Sequence, residues 1–169
     1  MRPTWELLTL PAGGADPAAL RRLARGHRQA SQAPHASRSY CGPVGLLAWS
    51  ERPVGVDLER MGSADRSLGE SICTPGELRR YAERLDDPAF VTSLWSSKEA
   101  LAKALGDAVD YDPRRLESPL GWPGGTAGPW RGEGFAPIPD HVAWLVWSIA
   151  PAPRAHRAAW AGGPAGGYG

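Results

Sequence analysis

Four side chains in two short stretches of this sequence are of types that do acid–base and metal chemistry. Asp57 and Glu59 stand two apart in Val54-Gly55-Val56-Asp57-Leu58-Glu59, and Glu99 and Lys103 stand four apart within residues 90–106. Alternate side chains of a strand share a face, so Val54, Val56 and Leu58 point one way while Gly55, Asp57 and Glu59 point the other. Two carboxylates on one face repel unless a cation bridges them, and hard oxygen ligands suit magnesium. Such alternation is more often the wet face of a half-buried strand, and this segment alone does not exceed that reading.

The second stretch reads as a helix, with good helix formers and no internal Gly or Pro between Pro88 and Gly106. Phe90, Leu94, Leu101 and Leu105 recur at helical spacing and form one apolar stripe. Glu99 and Lys103 fall on the opposite side, where the pair alone is a solvated surface contact worth about 0.3 kcal/mol. Lys98 falls nearer the stripe, a place where a cation needs an anionic partner.

The rest of the chain must position these groups. Its 169 residues suffice for one domain, or for two very small halves sharing an interface. Gly (21) and Pro (17) predict many loops and short elements, and the 8 Trp are large core candidates. A net charge of +1 argues against a general nucleic-acid or membrane-surface binder. Cys41 and Cys73 lack metal-type spacing, so neither a disulfide framework nor a zinc site is suggested. With no signal-peptide pattern and no apolar run near 20 residues, the chain reads as a soluble cytoplasmic protein.

Residues 5–10 suggest a strand, and Asp16-Pro17 an N-cap opening a helix that stops at Gly26. The arginines of that helix, with Arg28 beyond, are the densest basic cluster of the chain. Residues 29–39 read as a loop. Residues 44–50 and 54–59 read as antiparallel strands of a hairpin turning at Glu51-Arg52-Pro53. Residues 62–69 read as a loop, and Thr74 with Glu77 forms a capping box for a helix reaching Leu85. Residues 118–139 are a long loop or poor edge strands, and 141–149 a central strand apolar on both faces.

Val54-Gly55-Val56-Asp57-Leu58-Glu59 followed by Trp95-Ser96-Ser97-Lys98-Glu99-Ala100-Leu101-Ala102-Lys103 resembles the signature pair of the 4'-phosphopantetheinyl transferases. The closer likeness is to the surfactin-synthetase-activating (Sfp) type, whose motifs read roughly V-G-[VI]-D-[LIV]-E and W-[ST]-x-K-E-[AS]-x-x-K. Ile72 to Leu78 also resembles the segment that family carries between them. The likeness covers residues 54–106, with two departures. Ser39-Tyr40-Cys41 stands where the family usually has Ser-His-Ser, and about fifty residues precede the first motif where nearer a hundred are common.

The resemblance implies transfer of the 4'-phosphopantetheine arm of coenzyme A to a serine of an acyl or peptidyl carrier protein. It implies magnesium held by Asp57, Glu59 and Glu99, with Glu99 and Lys103 catalytic. Lys98, Lys103, Ser39 and Tyr40 would meet coenzyme A. The implied fold is α+β, small mostly antiparallel sheets with packed helices, in two pseudo-symmetric halves with the first abbreviated. Residues 1–160 would form a single domain (1–50 the short half, 51–150 the motif-bearing half) and 161–169 a flexible tail. The alternative is a non-catalytic carrier-protein-binding relative with an eroded coenzyme A pocket.

Overall fold

In the computed structural model, which describes residues 1–10, 16–62, 64–106 and 110–150, alternating apolar residues build two small antiparallel sheets. The first contains β1 (Thr4–Thr9), β2 (His35–Cys41) and β3 (Val44–Ser50), in the order β1-β3-β2. The second contains β4 (Val54–Arg60), β5 (Thr126–Ala127), β6 (Trp130–Phe135) and β7 (His141–Ser148), in the order β4-β7-β6-β5. Val44, Leu46 and Ala48 share one buried cluster with Val54, Val56, Leu58, Ala143, Leu145 and Trp147, so the sheets face each other across a common core.

Each outer face carries a helix. Leu20 and Ala24 of α1 (Pro17–Ser31) pack on Leu8 and Leu47 of the first sheet. Between β4 and β5 of the second sheet the chain forms α2 (Arg66–Ile72), α3 (Pro75–Tyr81) and α4 (Pro88–Leu105). Ala100, Leu101 and Ala104 of α4 cover Trp144 and Val146 of the second sheet, while its first turns pack with α2 and α3 around Phe90, Val91 and Leu94. This is the α+β class the sequence implies. Asp87 caps the start of α4, and Gly106 ends it in the left-handed conformation at φ 90°. The capping box forms, with Thr74 Oγ1 accepting the Glu77 N–H and Glu77 Oε2 accepting the Thr74 N–H. Strand β7 is central, between β4 and β6.

Four expectations fail for tertiary reasons. Helix α1 runs through Gly26 to Ser31, because His27 bonds Glu6 of β1 at 2.6 Å and offsets the roughly 1 kcal/mol cost of an interior Gly. Residues 35–39 of the expected loop belong to β2, a polar strand whose Ser37 Oγ accepts the Val56 N–H of β4 at 3.0 Å. Strands β3 and β4 do not form a hairpin, because their apolar faces meet face to face and the link at 51–53 carries the chain between sheets. Residues 66–69 of the expected loop open α2, where Asp65 caps the helix and Gly69 lets Leu85 and Val91 approach. The expected tail at 161–169 lies outside the described residues. No helix among the described residues is long and apolar enough to cross a membrane.

Candidate active site

The site forms where β4 passes beneath α4. Gly55 makes the crossing possible, since a Cβ there would collide with the Ala100 carbonyl and the Ala104 nitrogen. Asp57 and Glu59 follow on the same face of β4, directed at the helix as the alternation predicts.

Asp57 is 2% exposed, and its Oδ1 accepts from Lys103 Nζ at 2.6 Å and Ser39 Oγ at 2.9 Å. Lys103 Nζ also lies 3.3 Å from the Val56 carbonyl. The second oxygen, Asp57 Oδ2, is buried with no hydrogen-bond partner among the described residues. Glu59 is half-buried and accepts from the Trp95 indole N–H. Burial first, and the Asp57 charge next, push its pKa up to about 7; Trp95 and Lys103 offset only part of this. Glu99 Oε1 accepts from the Tyr111 hydroxyl at 2.6 Å. Burial, and then the bond to Glu99, raise the Tyr111 phenol well above its ordinary range.

Asp57, Glu59, Glu99 and Lys103 are thus brought to one wall, with Ser39 beside them. Ser39 directs its hydroxyl to Asp57. Tyr40 is not at this wall. It is the next residue of β2, so its ring turns to the α1 side and packs with Leu8, Leu20 and Leu47, opposite Gly45.

Lys98 corrects the expectation of a phosphate contact. It is 0% exposed, and Nζ donates to Glu77 Oε2 at 2.6 Å, to the Leu116 carbonyl at 2.7 Å and to the Pro113 carbonyl at 2.8 Å. An ammonium has three N–H donors, and all three are used inside the fold. Its anionic partner is Glu77.

The three-carboxylate magnesium set is also not assembled. Among the described residues no three His, Cys, Asp or Glu side chains converge to hold a metal ion. Lys103, Trp95 and Tyr111 each take one carboxylate. The open Asp57 Oδ2 and the uncompensated charge around Glu59 still suit magnesium, which is usually held by one or two carboxylates plus substrate phosphates.

Two cavities flank the C-terminal end of α4, and Gly106 lines both. One of about 350 Å³ lies between the first sheet and α4 and is lined by Arg28, Arg38, Ser37 and Lys103. Three cations around one cleft favour a polyanionic ligand. The other, of about 420 Å³, is lined by Tyr111, Leu105, Asp110 and Arg115.

Sequence reasoning missed Arg38, Ser37, Tyr111 and the role of Glu77. Recognition of β2 as a strand would have placed Ser37 and Ser39 together. Tyr111 carries no periodic signal, and Glu77 was absorbed by the capping box.

The model of the 4'-phosphopantetheinyl transferase superfamily matches residues 53–149, more than half of the chain, and the chain belongs to that family. Over 126 residues it is 28% identical to 4'-phosphopantetheinyl transferase psf-1 of Bacillus pumilus, covering 70% of this chain and 49% of that protein. Over 73 residues it is 37% identical to enterobactin synthase component D of Escherichia coli O157:H7, and equally to that of Shigella flexneri, covering 41% of this chain and 35% of each. The chain therefore spans about half the length, or less, of the curated relatives it matches.

Proposed function

We propose that this chain is a magnesium-dependent 4'-phosphopantetheinyl transferase of the Sfp type. It would move the phosphopantetheine arm of coenzyme A to a serine of an acyl or peptidyl carrier protein. The observation that carries this reading is the Asp57–Lys103 pair, whose lysine lines one cleft with Arg28 and Arg38.

The carrier serine oxygen bonds to the phosphorus bearing the pantetheine arm as its bond to the bridging oxygen breaks. That oxygen leaves with the electron pair, and adenosine 3',5'-bisphosphate is released. Glu99, directly or through water, takes the serine proton at Oε2, because Tyr111 occupies Oε1. Lys103 meets the charge growing on the leaving phosphate. Arg28 and Arg38 meet phosphate at the nucleotide end, and Ser39 steadies Asp57. Magnesium, when bound, would be held by Asp57 and one further carboxylate, Glu99 or Glu59, together with substrate phosphate, and would neutralise the pyrophosphate and template the displacement. Carrier proteins are typically acidic, and the exposed Arg79, Arg80 and Arg84 could steer one to the site.

The test is incubation with coenzyme A, magnesium and a panel of apo carrier proteins, read by mass spectrometry. Transfer appears as a phosphopantetheine mass increase on the carrier serine, abolished by Asp57→Ala. Absence of any increase at high protein concentration favours the carrier-binding, non-catalytic alternative.

A further inference from the structure

We infer that Tyr111 is a positioning residue for Glu99, held in place by a buried strut between Lys98 and Glu77. The inference rests on the transferase reading and adds to it two residues outside both motifs, Tyr111 and Glu77.

Tyr111 follows the left-handed turn at Gly106, and its hydroxyl reaches back to Glu99 Oε1 at 2.6 Å. A loop residue meets a helix residue at that distance only if the loop's path is set. Two residues on, the path is set by the strut. Lys98 binds the carbonyls of Pro113 and Leu116, and Glu77 Oε1 accepts the Ser118 N–H at 2.7 Å. Thr74 Oγ1 adds a bond to Glu117, and Ser97 Oγ lies 2.5 Å from Ser118 Oγ. Residues 113–118 are thus fastened at three backbone points to α3 and α4.

A buried ion pair is poor value as a stabiliser, because desolvating both charges offsets most of their attraction. An apolar pair could fill the same volume. It could not bond two carbonyls and an N–H, and those bonds are what place the segment next to Tyr111. Lys98 and Glu99 are adjacent in the motif, so one fastens the loop and the other receives its tyrosine.

The hydroxyl leaves Glu99 one oriented carboxylate face. Without it, Glu99 is free to rotate away from Asp57 and Glu59. Losing such a supporting bond typically costs about 10–100-fold in activity or metal affinity.

The test compares wild type with Tyr111→Phe, which removes only the hydroxyl. Two readouts are used: steady-state transfer, and Mn2+ affinity by electron paramagnetic resonance. The expected result is a fall in kcat of about 10-fold or more, with KM for coenzyme A within about twofold and weaker Mn2+ binding. A merely structural tyrosine would leave this split unmoved. Lys98→Met combined with Glu77→Leu, which avoids stranding one charge, should lower kcat similarly. Adding Tyr111→Phe to that pair should cause little further loss. Wild-type kcat and Mn2+ affinity in Tyr111→Phe overturn the inference, whatever the strut variant does. If wild type transfers nothing, the transferase reading fails separately, and the Mn2+ comparison decides the role of Tyr111.

Discussion

Lys103 Nζ and Asp57 Oδ1 lie 2.6 Å apart, and this pair ties the last turn of α4 to the middle of β4. The Asp57 side chain is 3% exposed and that of Lys103 20%, so the contact is far drier than a surface ion pair. Removing Lys103 strands a buried carboxylate. Lys103→Met should cost about 3 kcal/mol of stability, read as a shift in the urea midpoint, together with transfer activity. Asp57→Asn/Lys103→Met should recover much of the stability and none of the activity.

Glu59 sets a pH dependence of unusual sign. Its carboxyl is raised from 4.5 to about 7 in the folded chain, so between those values the native state binds more protons than the unfolded one. The stability it contributes is present below pH 4.5 and is lost as pH rises through 7. Allowing for the screening of a half-exposed group, the loss is on the order of 1 kcal/mol. Urea denaturation across pH 4.5–8 should show wild type falling relative to Glu59→Gln. A constant difference between the two would contradict the assignment.

Gly55 sets the spacing on which the site depends. Gly55→Ala places a methyl against the Ala100 carbonyl and the Ala104 nitrogen, and helix backbone cannot yield as a side-chain tip can. The cost should exceed the usual 1–3 kcal/mol of overpacking. Thermal denaturation should show a large drop, and transfer should fall because β4 is pushed from Lys103. A Tm unchanged within about 2 °C would show that the crossing is looser than described.

Arg38 is exposed and lines the basic cleft, its side chain making no hydrogen bond or ion pair among the described residues, whereas Arg28 also donates to the Ala33 carbonyl at 2.6 Å. Arg38→Gln should therefore raise KM for coenzyme A by about 10-fold with kcat little changed. Arg28→Gln should do the same and lower stability as well. Equal KM values for Arg38→Gln and wild type would remove the cleft as the nucleotide end.

Elements were legible where one local period dominated. The run from Pro88 to Gly106 has helical spacing and both boundary signals, and 141–149 is apolar on both faces as a central strand requires. Residues 35–41 were not legible. Their serines pair with β4 rather than with an apolar core, so the strand has no hydrophobic alternation to reveal it. The hairpin expectation at 51–53 failed for a related reason: a short link between two apolar strands is compatible with edge pairing or with stacked sheets. Which occurs depends on β1, β2 and β7.

The sequence alone sets which side chains share a face: period two turns Asp57 and Glu59 to one side of β4, and period 3.6 turns Glu99 and Lys103 to one side of α4. That the two faces meet, across Gly55, is a tertiary fact. Tertiary structure decided which partner each charge takes. Lys98 and Lys103 are both motif lysines, yet one closes on Glu77 inside the fold and the other on Asp57 at a cleft. Five residues along a helix rotate a side chain by about 500°, or 140° net, so the two face different neighbours. Those neighbours come from segments distant in sequence, and no local pattern records them.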